Sequence, residues 1–243
     1  MTIELRHPLP GEEFRLQELF TEAFGDDDFT ELFFRTGYGP ERCLAAFDGE
    51  LLAALHWFDC ALDGKKAAYV YGIAAFERCR GLGIGSRLIR GALVELQALG
   101  YEAVFLVPAG ESLFGYYERF GFRAVGTIRE ERIGAGTPLP LRKLATGEYA
   151  AARRELLPRT SLIQEGPCLE LLAGYAEFYA TDHALAAVSE DMVWELLGDT
   201  SEAPGLIAAL GLESARVRTP EEGRPFAMGI GVEGPIYLGL ALD

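Results

Sequence analysis

Arg80-Gly81-Leu82-Gly83-Ile84-Gly85-Ser86 is the stretch from which the rest of this chain is read. An apolar run, Ala67 to Ala75, leads into it, and an amphipathic run, Arg87 to Leu99, leads out. Those patterns predict strand, glycine turn and helix in that order. Glycine takes φ > 0 without penalty and lets backbone N–H groups come close to a ligand. The helix beyond adds unpaired N–H groups and the positive end of its dipole. The stretch therefore predicts a phosphate site, with a pyrophosphate as the best match. A dinucleotide fingerprint, Gly-x-Gly-x-x-Gly, fails because Ser86 stands at its third glycine. That fingerprint also expects an acidic residue after the next strand, where this chain has Pro108. A nucleotide P-loop needs Gly-Lys-Ser/Thr, which does not follow.

Arg80, Gly83 and Gly85 do fit Arg-x-x-Gly-x-Gly. This resembles the coenzyme A pyrophosphate loop of the GNAT N-acetyltransferase superfamily. Downstream, Tyr116-Tyr117-Glu118-Arg119-Phe120-Gly121-Phe122 resembles the family's Tyr-x-x-x-Gly-Phe segment. The two motifs stand in the family's order, with a predicted strand, Tyr101 to Val107, between them. Glu77 stands where the family often has a proline. The resemblance covers residues 1 to 133. It implies an α/β (mixed α+β) fold, a GNAT-like mixed sheet flanked by helices. It also implies acetyl-CoA (coenzyme A) as cosubstrate and no metal. On that resemblance Arg80, Gly81, Leu82, Gly83, Ile84, Gly85 and Ser86 hold the pyrophosphate. The backbone of Ile73, Ala74 and Ala75 takes the pantetheine arm as an added strand. Tyr117 protonates the departing thiolate, with Tyr116 as the alternative.

Ahead of the loop, Ile3 to Arg6 reads as a short strand. Leu16, Leu19, Phe20, Ala23 and Phe24 recur at helical spacing before Gly25. Asp28 with Glu31 forms a capping box for a second helix through Phe34. Strands follow at Cys43 to Phe47, Leu51 to Cys60 and Ala67 to Ala75, joined by Asp48-Gly49 and Asp63-Gly64 turns. Period-two alternation places Tyr69, Tyr71, Ile73 and Ala75 on one face. In the family the acceptor lies against these strands and the connection between the first two helices. Asp26, Asp27, Trp57 and Tyr71 are the acceptor-binding candidates by that resemblance; capping, solvent exposure and cross-strand packing are the competing readings. The amine needs a base, and Glu77, His56, Asp59 and Asp26 remain open for that role, as does an ordered water. After the loop come a helix from Ser112 to Phe120 and a long strand from Phe122 to Ile133.

Gly134 to Pro140 reads as a boundary, giving residues 1–138 as the acetyltransferase domain and 139–243 as a second one. Helices are expected at Thr146 to Leu157, Pro167 to Ala180 and Pro204 to Leu210. Strands are expected at Ala184 to Ser189, Met192 to Leu197, Arg216 to Thr219, Phe226 to Ile230 and Ile236 to Ala241. This order echoes the first half. At the place of the glycine loop stands Gly198-Asp199-Thr200-Ser201-Glu202, whose acids repel a pyrophosphate. The second half therefore reads as a degenerate copy of the same fold.

Composition bounds the function. The 243 residues carry a net charge of −15, which argues against nucleic acid and anionic membrane surfaces and is compatible with a cationic acceptor, a charge that serves solubility being the competing reading. No basic-then-apolar leader or membrane-length apolar run is present, so the cytoplasm is expected. The four cysteines, Cys43, Cys60, Cys79 and Cys168, read as reduced thiols, and the three histidines show no metal-ligand spacing. The function expected is an acetyl-CoA-dependent N-acetyltransferase, monomeric or homodimeric, acting on a primary amine of a small molecule or peptide by direct attack. A catalytically inactive acyl-CoA-binding regulator and an interaction module are the alternatives.

Overall fold

Two Asp-Gly turns and the apolar runs between them fold the first half into a meander. In the computed structural model, which describes residues 2–240, β1 (Glu4–Arg6) precedes α1 (Glu13–Phe24) and α2 (Asp27–Thr36). Then come β2 (Cys43–Phe47), β3 (Leu51–Leu62), β4 (Lys65–Ala75), α3 (Ile84–Ala98) and β5 (Ala103–Leu106). α4 (Phe114–Glu118) leads to β6 (Arg123–Ala124). The cap of α2 is Asp26, not the expected Asp28. Asp26 holds extended backbone ahead of the helix and accepts the Phe29 N–H at 2.8 Å.

β7 (Thr127–Gly134), β8 (Arg142–Leu144), α5 (Thr146–Leu156), β9 (Ile163–Gln164) and α6 (Pro167–Ala173) open the second half. It continues through β10 (Glu177–Ala180), β11 (Ala184–Ser189), β12 (Met192–Gly198), α7 (Ala203–Ala209), β13 (Ser214–Pro225) and β14 (Met228–Ile230). Three expectations are corrected. The helix from Pro167 ends at Ala173, and Glu177–Ala180 is a strand. The strand expected at Ile236 to Ala241 is, up to Leu240, a buried extended segment with a single bridge, Tyr237 to Ser161; Ala241 lies outside the described residues. The long strand expected from Phe122 breaks at Val125-Gly126, whose N–H groups both turn to the Ala227 carbonyl.

That break changes the architecture. The first sheet runs β1-β2-β3-β4-β5-β14-β6, and the second, read from its β8 edge, runs β8-β10-β11-β12-β13-β7. In the first sheet β4 and β5 are parallel, and in the second β12 and β13 are; the other pairs are antiparallel. Order and orientation thus repeat. The strand beside β5 is β14, from the end of the chain, and the strand beside β13 is β7, from the first half. Each sheet is completed by the other half. The expected boundary at 138/139 falls between β7 and β8, two strands of one sheet, and so does not separate the sheets.

Three apolar cores follow from this layering. One lies between α3 and the first sheet, with Leu88, Ile89, Trp57 and Val104. A second backs the second sheet against α7, with Leu196, Leu206 and Val217. The largest is shared, and joins Phe20, Phe33, Tyr69 and Phe105 to Tyr149, Cys168, Leu171 and Phe178. An ion pair is buried in the second half. Arg153 donates to Glu195 through Nε at 2.6 Å and Nη2 at 2.9 Å. The Tyr149 and Tyr237 hydroxyls donate to the same carboxylate at 2.7 and 3.0 Å. Burial opposes the Arg153 charge, but the Glu195 carboxylate outweighs it and raises the pKa.

Candidate active site

β4 and β5 pair from Ala67/Ala103 to Tyr69/Phe105, and no further. Beyond Tyr69 the strands split, so β4 from Val70 to Ala75 has a backbone edge that β5 does not use. A β-bulge lies in this stretch, with register shifting between Ala54 and His56 of β3 opposite Ala74 and Tyr71. Gly72 makes it possible: φ is +61°, and a Cβ there would lie 2.5 Å from the Phe20 ring. The bulge also overturns the expected alternation. Tyr69 and Tyr71 face the shared core, whereas Ile73 and Ala75 pack with the core under α3.

The chain leaves β4 through a 3₁₀ turn at Glu77–Cys79 and enters the glycine stretch. Gly81 and Gly83 both have φ of +76°, and a Cβ at either would meet nothing within 4 Å. Gly83 is the N-cap of α3, no side chain caps the helix, and no acidic residue occupies its first turn. The first N–H groups of a long helix are therefore left for an anion. Gly85 and Ser86 stand inside the first helical turn and not in the loop. Arg80 is exposed and its Nε donates to the Ala75 carbonyl at 3.3 Å, tying the loop to the end of β4. Leu82 projects into solvent at 59% exposure.

α4 packs beside this turn. The Tyr116 and Ser86 hydroxyls lie 3.3 Å apart, so Tyr116 touches the first turn of α3. Tyr117 is buried among Phe122 and the core under α3, with its ring 5.2 Å from that of Tyr116. Glu77 is exposed, and its N–H donates to Glu22 at 2.6 Å.

Other candidates part company. His56 is 1% exposed and wedged between Phe33 and Phe58; its Nε2 accepts the Gly39 N–H at 3.3 Å. Burial and the nearby Arg42 charge push its pKa down to about 3. It is a neutral core residue, withdrawn from solvent. Trp57 is fully buried on the α3 side of the sheet, donating to the Tyr101 hydroxyl at 3.1 Å, and so does not face an acceptor. Tyr101 in turn donates to Asp59, at the far end of β3.

On the other face of the split is a cavity of about 650 Å³ lined by Phe24, Asp26, Asp28, Phe29, Leu32, Arg35, Tyr71, Gly174, Tyr175 and Trp194. Of the acceptor-binding candidates, Tyr71 and Asp26 line it. Asp27 is not: it lies beside Phe14, Gln17 and Thr21, on the outer side of α1. Asp28 takes its place. Tyr175 and Trp194 were not legible as site residues, because they come from the second half and reach the cavity only through the shared packing. The Tyr175 ring meets Trp194 at 5.6 Å and Phe29 at 5.7 Å, both edge-on.

The second half offers no equivalent anion turn. Asp199 accepts the Ser201 N–H at 3.0 Å and caps a 3₁₀ turn, Thr200–Glu202, that leads into α7, so carboxylates occupy the place of the glycine turn. Among the described residues, no group of three or more His, Cys, Asp or Glu side chains could hold a metal ion, and no helix is long and apolar enough to cross a membrane. All four cysteines are buried and free.

Comparison with known proteins agrees with this geometry. The acetyltransferase (GNAT) domain family matches residues 5–125. Mycothiol acetyltransferase of Propionibacterium freudenreichii subsp. shermanii is 31% identical over 94 residues, which span 37% of this chain and 30% of that protein's length. Among solved structures, a GCN5-related N-acetyltransferase from Kribbella flavida matches with a TM-score of 0.69 at 16% identity, over 94% of this chain and 70% of that one. A putative acetyltransferase from Pyrococcus horikoshii gives 0.68 at 15% identity, over 95% and 90%. Eis1 from Mycobacterium abscessus gives 0.64 at 16%, over 89% and 65%. At such identities the likeness is one of fold, and it runs through both halves. With the signature sequence in its first half and the fold of solved acetyltransferases along nearly its whole length, the chain carries a GNAT acetyltransferase domain over residues 5–125.

Proposed function

We propose that this chain is an acetyl-CoA-dependent N-acetyltransferase acting on a primary amine of a small molecule or peptide by direct attack. The observation that carries this is the split between β4 and β5, with an uncapped glycine turn on one side and an aromatic, partly acidic cavity on the other. The α3 N–H groups take the pyrophosphate of coenzyme A. The free edge of β4 at Ile73, Ala74 and Ala75 takes the pantetheine amides. The thioester then lies in the split, open to an amine in the cavity.

The neutral amine attacks the thioester carbon. The oxyanion needs a fixed donor, a role for a backbone N–H of β4 near Ala75. Collapse expels the thiolate, which takes a proton from the Tyr117 hydroxyl, a phenol neutral at pH 7. Removal of the amine proton falls to an exposed carboxylate, Glu77 or Asp26, directly or through water. His56 takes no part, being neutral and sealed. The second half reads as a degenerate copy that binds no coenzyme A of its own, supported by its repeated strand order and by the Asp199 carboxylate on the turn ahead of α7. Gly83→Val tests the donor site: calorimetry should show weakened coenzyme A binding in a folded variant, and unchanged affinity would remove the assignment. A turnover-free regulator would bind acetyl-CoA equally well but release no thiol with any amine.

A further inference from the structure

We infer that the C-terminal half selects the acceptor, with Trp194 and Tyr175 holding a second cationic group of a diamine, distinct from the nitrogen that is acetylated. This rests on the cavity being the acceptor side of the site. Its lining divides by origin. Tyr71 stands on β4 at the split, where the thioester would lie, and so belongs to the reacting end. Tyr175 and Trp194 come from the second half, and Phe29 packs on Tyr175. A cation is attracted to such rings by their quadrupole, more strongly once water is excluded. Asp26 and Asp28 add carboxylates to the lining. One Asp26 oxygen accepts the Phe29 N–H, leaving the other for a ligand. Arg35, the cation in the lining, is exposed and lies 3.9 Å from Glu31.

Trp194 packs against the protein's own cation-bearing side chain as well. Arg218, 8% exposed, lies with its guanidinium 5.1 Å from the indole and 5.4 Å from the Phe226 ring. Its Nε donates to Glu130 at 2.7 Å, a carboxylate it shares with Arg224 at 3.1 Å. The indole Nε1 is buried without an acceptor and out of a ligand's reach, so the ring itself is what the cavity presents. β12 bulges at Trp194, where the register shifts between Ala187 and Val188 of β11. The half without an anion turn thus contributes its bulge residue to the acceptor side.

Three chain-matched amines test this with acetyl-CoA and the full chain: pentylamine, 1,5-diaminopentane and 5-aminopentanoate. The native protein should show kcat/KM for the diamine about tenfold above pentylamine, with the aminopentanoate lowest. In Trp194→Leu, and separately in Tyr175→Leu, the diamine-to-pentylamine ratio should collapse toward one, the KM for acetyl-CoA serving as control. Equal rates for the three amines in the native protein, a preference for the carboxylate, or an undiminished diamine preference in both variants overturns the inference. If none of the three is turned over, the kinetic arm says nothing of the transferase reading, which the wider amine library tests. Calorimetry on the CoA-loaded protein then decides the inference: tighter binding of the diamine than of pentylamine upholds it, and equal binding overturns it.

Discussion

At the residue scale, Tyr117 carries the proposed acid by its motif position, and burial with a lowered pKa takes His56 out of the chemistry. Tyr117→Phe keeps the ring and removes one proton, so kcat should fall by roughly 10²–10⁴-fold while acetyl-CoA affinity changes little. Single-turnover rates of the variant and of Tyr116→Phe decide which phenol acts; near-native chemistry in Tyr117→Phe excludes it. His56 carries a prediction of the opposite kind. Its folded pKa of about 3 lies below the usual 6.5, so the unfolded chain binds the extra proton. Its stabilising contribution is therefore complete above pH 6.5 and is lost as pH falls from there toward 3. The slope is at most about 1.4 kcal/mol per pH unit. Denaturant midpoints between pH 7 and 4 should fall less steeply in His56→Asn, and an unchanged slope would mean that the imidazole meets water. From the sequence alone His56 and Trp57 were candidates because their strand borders the acceptor side. Burial is set by which sheet face each side chain takes and by what packs over it, and no single strand states that.

At the scale of elements, the β4 bulge and the glycine turn do the work. The turn was legible because φ > 0 and a helix start leave marks in composition. The bulge was less so: Gly72 sits in an apolar strand and breaks the alternation after Tyr71, so Ile73 and Ala75 change faces. Gly72→Ala forces a left-handed Cβ against Phe20, and should cost about 2 kcal/mol or more in denaturant stability. It should also weaken coenzyme A binding, because the free edge of β4 depends on the bulge. Full stability in that variant would show that the strand can straighten. The two aspartates at the head of α2 exchange roles for a similar reason. Capping is decided by which residue keeps extended backbone, and that is Asp26.

For the whole molecule, the exchange of β7 and β14 matters most. The order of elements in the second half was legible, because strands and helices there keep their periods. Which sheet a strand joins was not, since β7 and β14 carry patterns that suit either. With each sheet completed by the other half and one core shared, the halves should unfold together. Trp57 lies in the first half and Trp194 in the second, and they are the chain's two tryptophans. Fluorescence of Trp57→Phe and Trp194→Phe should each trace a single transition that coincides with the circular dichroism of the same variant, and separated transitions would mean independent domains. On the proposed reading the donor site lies in one half and part of the acceptor wall in the other, so turnover should require the intact chain. The most direct measurement of the account is acetyl-CoA-dependent thiol release by the full chain across a library of primary amines, with the products examined by mass spectrometry. The account predicts release above the amine-free rate with at least one amine, and an N-acetylated product. Binding of acetyl-CoA with no amine-stimulated release anywhere in the library would contradict it.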